Sequence, residues 1–233
     1  MASSLVFGST GVSGSHILAA LLAAPSPSAV HTISRRAPKP TSPALRAIVE
    51  PDTTQWPAKL ASIAPPPTTV YSALGTTRQQ AGGLANQWKI DHDLNVELAR
   101  AAKQAGAKNF VFVSSGGTRG LLSGPFPYAK MKRGVEDTVQ ALGFDTAIIL
   151  RPGLILDERE KPHQGGPVLI GASRALGRWF GLGLQDRWAV EGEVIGRAAV
   201  HAARIAEEGR APGKYWVLEQ SDIIRLGRTE WKD

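Results

Sequence analysis

The segment Tyr128-Ala129-Lys130-Met131-Lys132 sets a phenol and an ammonium four residues apart. On a helix that spacing puts both side chains on one face. A cation beside a phenol of reference pKa about 10 favours the phenolate and brings proton transfer nearer neutral pH. Ser115 lies 13 residues before Tyr128, just past an apolar run that reads as a strand. Open α/β sheets build their sites at such strand ends, and the Ser115 hydroxyl could donate to the same substrate oxygen.

A second constellation opens the chain. Gly8-Ser9-Thr10-Gly11-Val12-Ser13-Gly14 is a G-x-x-G-x-x-G between a strand-like run and a helical one. In that context Gly8 allows a tight turn, Gly11 lets the backbone approach a pyrophosphate, and Gly14 permits close helix–strand packing. The helix that follows presents unpaired N–H groups to the phosphates. An NAD site usually carries an acid about 20 residues further on, for the ribose 2′-hydroxyl. Here that place holds Ser34-Arg35-Arg36, and no acid occurs before Glu50. Two guanidiniums suit a 2′-phosphate, so NADPH is expected rather than NADH.

Other chemistries lose ground. The absence of cysteine removes a thiol nucleophile, a disulfide framework and Cys-based metal sites. The five histidines (16, 31, 92, 163, 201) show no i, i+4 pair, so no metal site is expected. Ser114-Ser115-Gly116-Gly117 is no G-x-S-x-G elbow, which leaves serine hydrolysis unsupported. Trp188 and Trp179 could line a substrate pocket, although ordinary packing explains dispersed tryptophans equally well. Of the net charge of +7, residues 1–150 contribute most, with 14 Lys and Arg against 8 acids. That excess suits an anionic ligand, but no run of five basic residues exists to suggest a nucleic acid. The longest apolar run, residues 17–24, is far short of the roughly 20 that span a bilayer. A strand-like start by Leu5, with no basic residue before Arg35, reads as neither a secretory signal nor an Arg-rich presequence.

These residues need a scaffold, and the apolar pattern supplies one. Strands are expected at residues 4–7, 29–34, 47–49, 70–74, 109–113 and 146–150, with a late one at 214–218. Helices are expected at 15–24, 90–105 and 130–142. Strands alternating with helices imply right-handed crossovers and a parallel sheet covered on both faces. The expectation is one α/β domain over 1–233, a doubly wound (Rossmann) parallel sheet. A short C-terminal substrate-binding cap or lid is expected at 154–213.

The Gly8–Gly14 loop, Ser115, Tyr128 and Lys132, with Asn95 in the helix between, resemble a short-chain dehydrogenase/reductase, whose usual Ser-to-Tyr separation is also 13. That spacing disfavours Ser114 as the alternative to Ser115. Phe7-Gly8-Ser9-Thr10-Gly11, Thr32-Ile33-Ser34-Arg35-Arg36 and Ala73-Leu74-Gly75-Thr76-Thr77-Arg78 resemble the fungal Found in Mitochondrial Proteome oxidoreductase-like family. So do Gln87-Trp88-Lys89-Ile90-Asp91, Lys132-Arg133-Gly134-Val135-Glu136, Leu150-Arg151-Pro152-Gly153 and Leu226-Gly227-Arg228-Thr229-Glu230-Trp231. A more distant likeness is to mammalian Tat-interacting, NADPH-binding atypical reductases.

The resemblance implies roles. Tyr128 would be the proton donor, Lys132 its tuner and a ribose ligand, Ser115 the orienter of the oxygen, and Asn95 the holder of a relay water. Ser9, Thr10 and Val12 would join the three glycines at the phosphates, Leu74 and Gly75 would lie along the cofactor, and Pro152 beside the nicotinamide. Asp52 would accept from the adenine amine. It further implies peripheral attachment at the cytosolic face of the mitochondrial outer membrane, with a cytoplasmic location as the alternative and homo-oligomerisation left open. The combined reading is an NADPH-dependent reductase of a small carbonyl compound. An NADPH-binding sensor or scaffold at a membrane surface, and a non-redox isomerase or dehydratase, stay as alternatives.

Overall fold

Successive residues of a strand face opposite sides of the sheet, and here both sides are buried. Leu5, Phe7, Val70, Phe110, Phe112, Ala147 and Ile149 pack into one core layer. Val6, Tyr71, Val111, Ile148 and Leu150, interleaved with them in sequence, pack into another. Strands buried on two faces need helices on two faces, and the computed structural model of the chain shows that arrangement. It describes residues 3–24, 28–120, 123–157, 186 and 188–232.

The elements run in order: β1 (Ser4–Phe7), α1 (Val12–Leu22), β2 (Val30–Ser34), β3 (Leu45–Val49), α2 (Trp56–Ala61), β4 (Thr69–Ser72), α3 (Arg78–Ala81) and α4 (Leu84–Trp88). A π-helical turn (Lys89–Leu94) then runs into α5 (Asn95–Gln104), followed by β5 (Asn109–Val113), α6 (Pro127–Ala141), β6 (Thr146–Leu150) and β7 (Leu154–Ile155). The chain ends with β8 (Ala189–Val190), α7 (Gly192–Glu207), β9 (Tyr215–Leu218), α8 (Gln220–Ile224) and a second π-helical turn (Arg225–Thr229). Seven strands form a sheet in the order β3-β2-β1-β4-β5-β6-β9, every neighbouring pair parallel. This is the doubly wound order, with the ligand crevice expected where it reverses, between β1 and β4. Phe7 pairs with both Ile33 and Ser72 in register, so those strand ends form one rim. β7 and β8 form a separate two-stranded ribbon beyond β6.

The strands expected at 4–7, 109–113 and 146–150 occur with those bounds, and the rest shift by one or two residues. α7 is the main correction. The sequence reading counted residues 192–207 in the cap, but Val194, Ile195, Ala198, Ala199, Ala202 and Ala203 are buried with Ile17 and Leu18 of α1 in one core layer. Their pairwise recurrence every four residues is a helical stripe, so this helix closes one side of the sheet. Residues 158–185, the middle of the expected cap, lie outside the described residues.

Candidate active site

The loop after β1 is built by close backbone approach. Gly8 has φ +79°, and a Cβ there would stand 2.7 Å from the Ala73 carbonyl oxygen past β4. A Cβ on Gly14 would collide with the Gly8 carbonyl oxygen, while the Gly11 N–H donates to that same oxygen at 2.9 Å. Only glycine meets those two demands at positions 8 and 14. Gly11 caps α1 with no side-chain hydrogen bond, and the helix has no acid in its first turn. Its leading N–H groups therefore face an anion without competition. The Ser9 hydroxyl is buried beside them, with no hydrogen-bond partner among the described residues. An orphaned donor, a cradle a Cβ would fill and an uncapped helix start together fit a dinucleotide pyrophosphate. Thr10 and Val12 are half-buried in the same turn.

Arg35 and Arg36 leave the end of β2 as exposed side chains, and the turn is fixed by Ser34 Oγ, which donates to the Arg36 carbonyl oxygen at 2.7 Å. β3 ends beside them, with the Glu50 N–H donating to the Ser34 carbonyl oxygen. Asp52 follows, also exposed. Its Oδ1 accepts from the Thr54 N–H and hydroxyl at 3.0 and 2.7 Å. Those bonds hold its carboxyl below the usual carboxylate range, so Asp52 stays anionic while capping the turn that precedes α2.

The centre of the site lies where β4, β5 and α6 meet. Pro127 starts α6, a position where its missing N–H has no cost. Tyr128 is therefore in the first turn, 42% exposed, whereas Lys132 one turn on is 3% exposed. Lys132 Nζ donates to the Val113 carbonyl oxygen at 3.2 Å and lies 3.5 Å from that of Leu74, over the Phe112 ring at 4.8 Å. Lysine 132 thus joins the β5 end, two residues before Ser115, to the Leu74–Gly75 segment after β4. Asn95 is buried behind it. Its Oδ1 accepts from Ser72 Oγ at 2.6 Å, and its Nδ2 donates to the carbonyl oxygens of Ile90 and Asp91 at 3.0 and 3.3 Å. The amide is spent on the π-helical turn, so the geometry gives no support to a water-holding role for this side chain.

Ser114 and Ser115 face different surroundings. Ser114 is buried and donates to Glu136 at 2.5 Å. Among the described residues, half-buried Ser115 makes only a 3.5 Å contact, with the Gly116 carbonyl oxygen. The Gly116 N–H donates to the Pro152 carbonyl oxygen at 2.7 Å, bringing the β5 and β6 loops together with Trp188, whose carbonyl oxygen accepts from the Leu154 N–H. No hydrogen bond joins Ser115, Tyr128 and Lys132 to one another among the described residues.

Three charged residues here escaped the sequence reading. Glu136, fully buried, accepts from Arg151 at 2.7 and 3.2 Å and from Arg119 at 2.9 Å. Burial pushes its carboxyl up, but the bonds from Arg151, Ser114 and Arg119 outweigh that and hold it low. The signal was available: Glu136 continues the four-residue ladder of Tyr128 and Lys132. Asp91, also fully buried, accepts from the Thr76 N–H at 2.7 Å and from Gln87 at 3.1 Å. His16, on α1, bonds Asp157 at 2.7 Å.

The model of the NAD dependent epimerase/dehydratase family matches residues 4–167. Protein FMP52, mitochondrial, of Chaetomium globosum is 73% identical over 233 residues, all of both chains. The chain belongs to the FMP52 family within that larger group. Protein fmp-52, mitochondrial, of Neurospora crassa is 64% identical over 235 residues, 99% of this chain and 97% of its own. Among solved structures, MoeE5 in complex with UDP-glucose and NAD superposes with a TM-score of 0.67 at 18% identity, covering 98% of this chain and 81% of MoeE5. That likeness concerns the fold alone. Membership of the FMP52 and epimerase/dehydratase families supports a nicotinamide dinucleotide as cofactor and a Rossmann-type oxidoreductase or epimerase as the class of enzyme. No helix among the described residues is long and apolar enough to cross a membrane.

Proposed function

We propose that this FMP52-family chain is an NADPH-dependent reductase of small carbonyl compounds. The observation that carries the reading is Lys132: a nearly buried ammonium, one helical turn from a solvent-facing phenol, tied to the β4 and β5 ends beside a phosphate-type loop. The residues would hold the cofactor as follows: Gly8 to Gly14 with Ser9 at the pyrophosphate, Arg35 and Arg36 at the 2′-phosphate, Asp52 at the adenine, and Leu74, Gly75 and Pro152 along the nicotinamide half. When bound, the reduced nicotinamide supplies hydride. Tyr128 gives its phenolic proton to the carbonyl oxygen, a role that its exposure permits. Lys132, one turn further along the same helix, would offer its positive charge to the phenolate left behind. The Ser115 hydroxyl, which has no strong partner among the described residues, orients the same oxygen. Ser114 is committed to Glu136, which supports Ser115 as the reacting serine of the pair. Asn95 steadies the helix behind Lys132.

The test is NADPH oxidation by the full chain against a panel of aldehydes and ketones, for the parent and for Tyr128→Phe. Turnover that falls at least about 100-fold in the variant supports the reading. Turnover indifferent to the substitution overturns the role of Tyr128, and tight NADPH binding without any turnover points to a sensor. The mitochondrial names of the relatives support a place at that organelle. A seat on the cytosolic face of its outer membrane would be read by protease accessibility in intact mitochondria.

A further inference from the structure

We propose that Asp91 is a positioning residue of this site, whose buried carboxylate balances the charge of Lys132 and fixes the Gly75–Thr76 segment against the cofactor groove. The catalytic consequence rests on the reductase reading; the electrostatic pairing does not.

The π-helical turn makes the arrangement. Its widened backbone frees the Ile90 and Asp91 carbonyl oxygens, which Asn95 takes up, and turns of this kind recur at functional sites. The Asp91 side chain is then directed towards the segment after β4, where Oδ1 accepts from the Thr76 N–H and Oδ2 from Gln87. Gln87 also donates to the Thr76 carbonyl oxygen, so both sides of that peptide are held. A Cβ on exposed Gly75 would lie 3.7 Å from Asp91 Oδ1 and 3.9 Å from Lys132 Nζ. The carboxylate and the ammonium therefore flank one point on the floor of the groove.

The other groups around Lys132 are accounted for. On its own helix, Tyr128 is the proton donor, and Glu136 is taken by Arg151, Arg119 and Ser114. From the π-helical turn, His92 packs against Gly134 and bonds Asp93. β5 offers the Phe112 ring and the Val113 carbonyl oxygen, and the β4 segment the Leu74 carbonyl oxygen. Among the described residues, Asp91 is the carboxylate left to oppose the ammonium. Its own surroundings agree: burial raises its pKa, while Lys132, the Thr76 N–H and Gln87 pull it down. A buried cation without a counter-charge is costly, and an exposed glycine segment without an anchor would not keep its place.

Asp91→Asn removes the charge while its amide oxygen still accepts from the Thr76 N–H, at the cost of the bond from Gln87. With the full chain carrying isotope-labelled lysine, the Lys132 side-chain signal, assigned by its loss in Lys132→Arg, is followed by NMR from pH 4 to 8. The parent should show an inflection as Asp91 takes up a proton, above the usual carboxylate range, and Asp91→Asn should lack it. No inflection in the parent, or one that persists in the variant, overturns the pairing whether or not any carbonyl is reduced. If Asp91→Asn does not fold, Asp91→Glu takes its place, and an inflection whose midpoint is unmoved in that variant overturns the pairing. In turnover, Asp91→Asn should lower kcat by about tenfold with the KM for NADPH little changed, and Asp91→Glu should recover part of it. An unchanged kcat overturns the catalytic role. Absence of turnover in the parent sinks the reductase reading instead, and leaves the NMR result to stand.

Discussion

The Ser114 hydroxyl donates to the Glu136 carboxylate at 2.5 Å, which turns one serine of the pair into the fold and leaves its neighbour at the groove. The same carboxylate gathers Arg119 and Arg151, and Arg151 reaches on to Glu219 past β9 at 2.8 Å. One buried acid thus ties together the β5 and β6 loops, α6 and the edge strand.

Glu136→Gln should destabilise the fold by about 3 kcal/mol, because the largely buried Arg151 guanidinium loses the charge that offsets its burial. Because the folded-state pKa of Glu136 lies below its unfolded value, the stabilisation is present above the unfolded value of about 4.3. It is lost as pH falls through the folded value. Urea unfolding at pH 7 and at pH 3.5 should show the gap between parent and variant narrowing at the lower pH.

His16 works in the opposite direction. The hydrogen bond that its ring N–H donates to Asp157 raises its pKa, burial lowers it, and the charges of Asp157 and Glu193 raise it further. The net elevation means that the stabilisation is full below about pH 6.5 and fades as pH rises through the folded value. The pair is partly exposed, so its worth is about 0.5 kcal/mol. In thermal melts, the advantage of the parent over His16→Gln should be larger at pH 5.5 than at pH 8.5.

Gly14→Ala sets two effects against each other. Alanine in a helix gains up to about 1 kcal/mol over glycine. Its Cβ would strike the Gly8 backbone, which has no side chain to move aside, and such overpacking costs about 1–3 kcal/mol. The collision should win, lowering the melting temperature and weakening dinucleotide binding measured by calorimetry.

Replacing Arg35 and Arg36 together by Ala should hardly alter stability, since both are exposed and surface changes usually stay within about 0.5 kcal/mol. Each charge-assisted bond to a 2′-phosphate is worth about 1.5–3 kcal/mol. NADPH affinity should therefore fall at least about tenfold while NADH affinity holds. Equal weakening of both would remove the 2′-phosphate assignment.

Much of this architecture was readable because local and global demands coincide. β1, β5 and β6 are short apolar runs bounded by turn residues, and burial on both faces is what such runs require. The glycine loop was legible for a similar reason: the turn, the helix start and the close approach all act on the same seven residues. α7 was not, because its stripe is mainly alanine in a stretch that begins with Gly192 and holds Gly196, and alanine marks burial weakly. The π-helical turn was expected as ordinary helix, since its widening depends on Asn95 meeting Ser72, 23 residues away. The roles of Asp91 and Glu136 were not legible for a similar reason: the groups that bond them, such as the Thr76 N–H, Ser114 and Arg151, come from other parts of the fold.

The pairing of α1 with α7 also bears on the order in which the protein can be made. Ile17 and Leu18 find their cover in Ile195, Ala198 and Ala199, nearly 180 residues later. A chain emerging from the ribosome would have synthesised its whole Gly8–Gly14 loop and Tyr128-to-Lys132 helix before that cover existed. Its first helix would wait with an apolar side open to chaperones, and cofactor capture would be among the last events of folding.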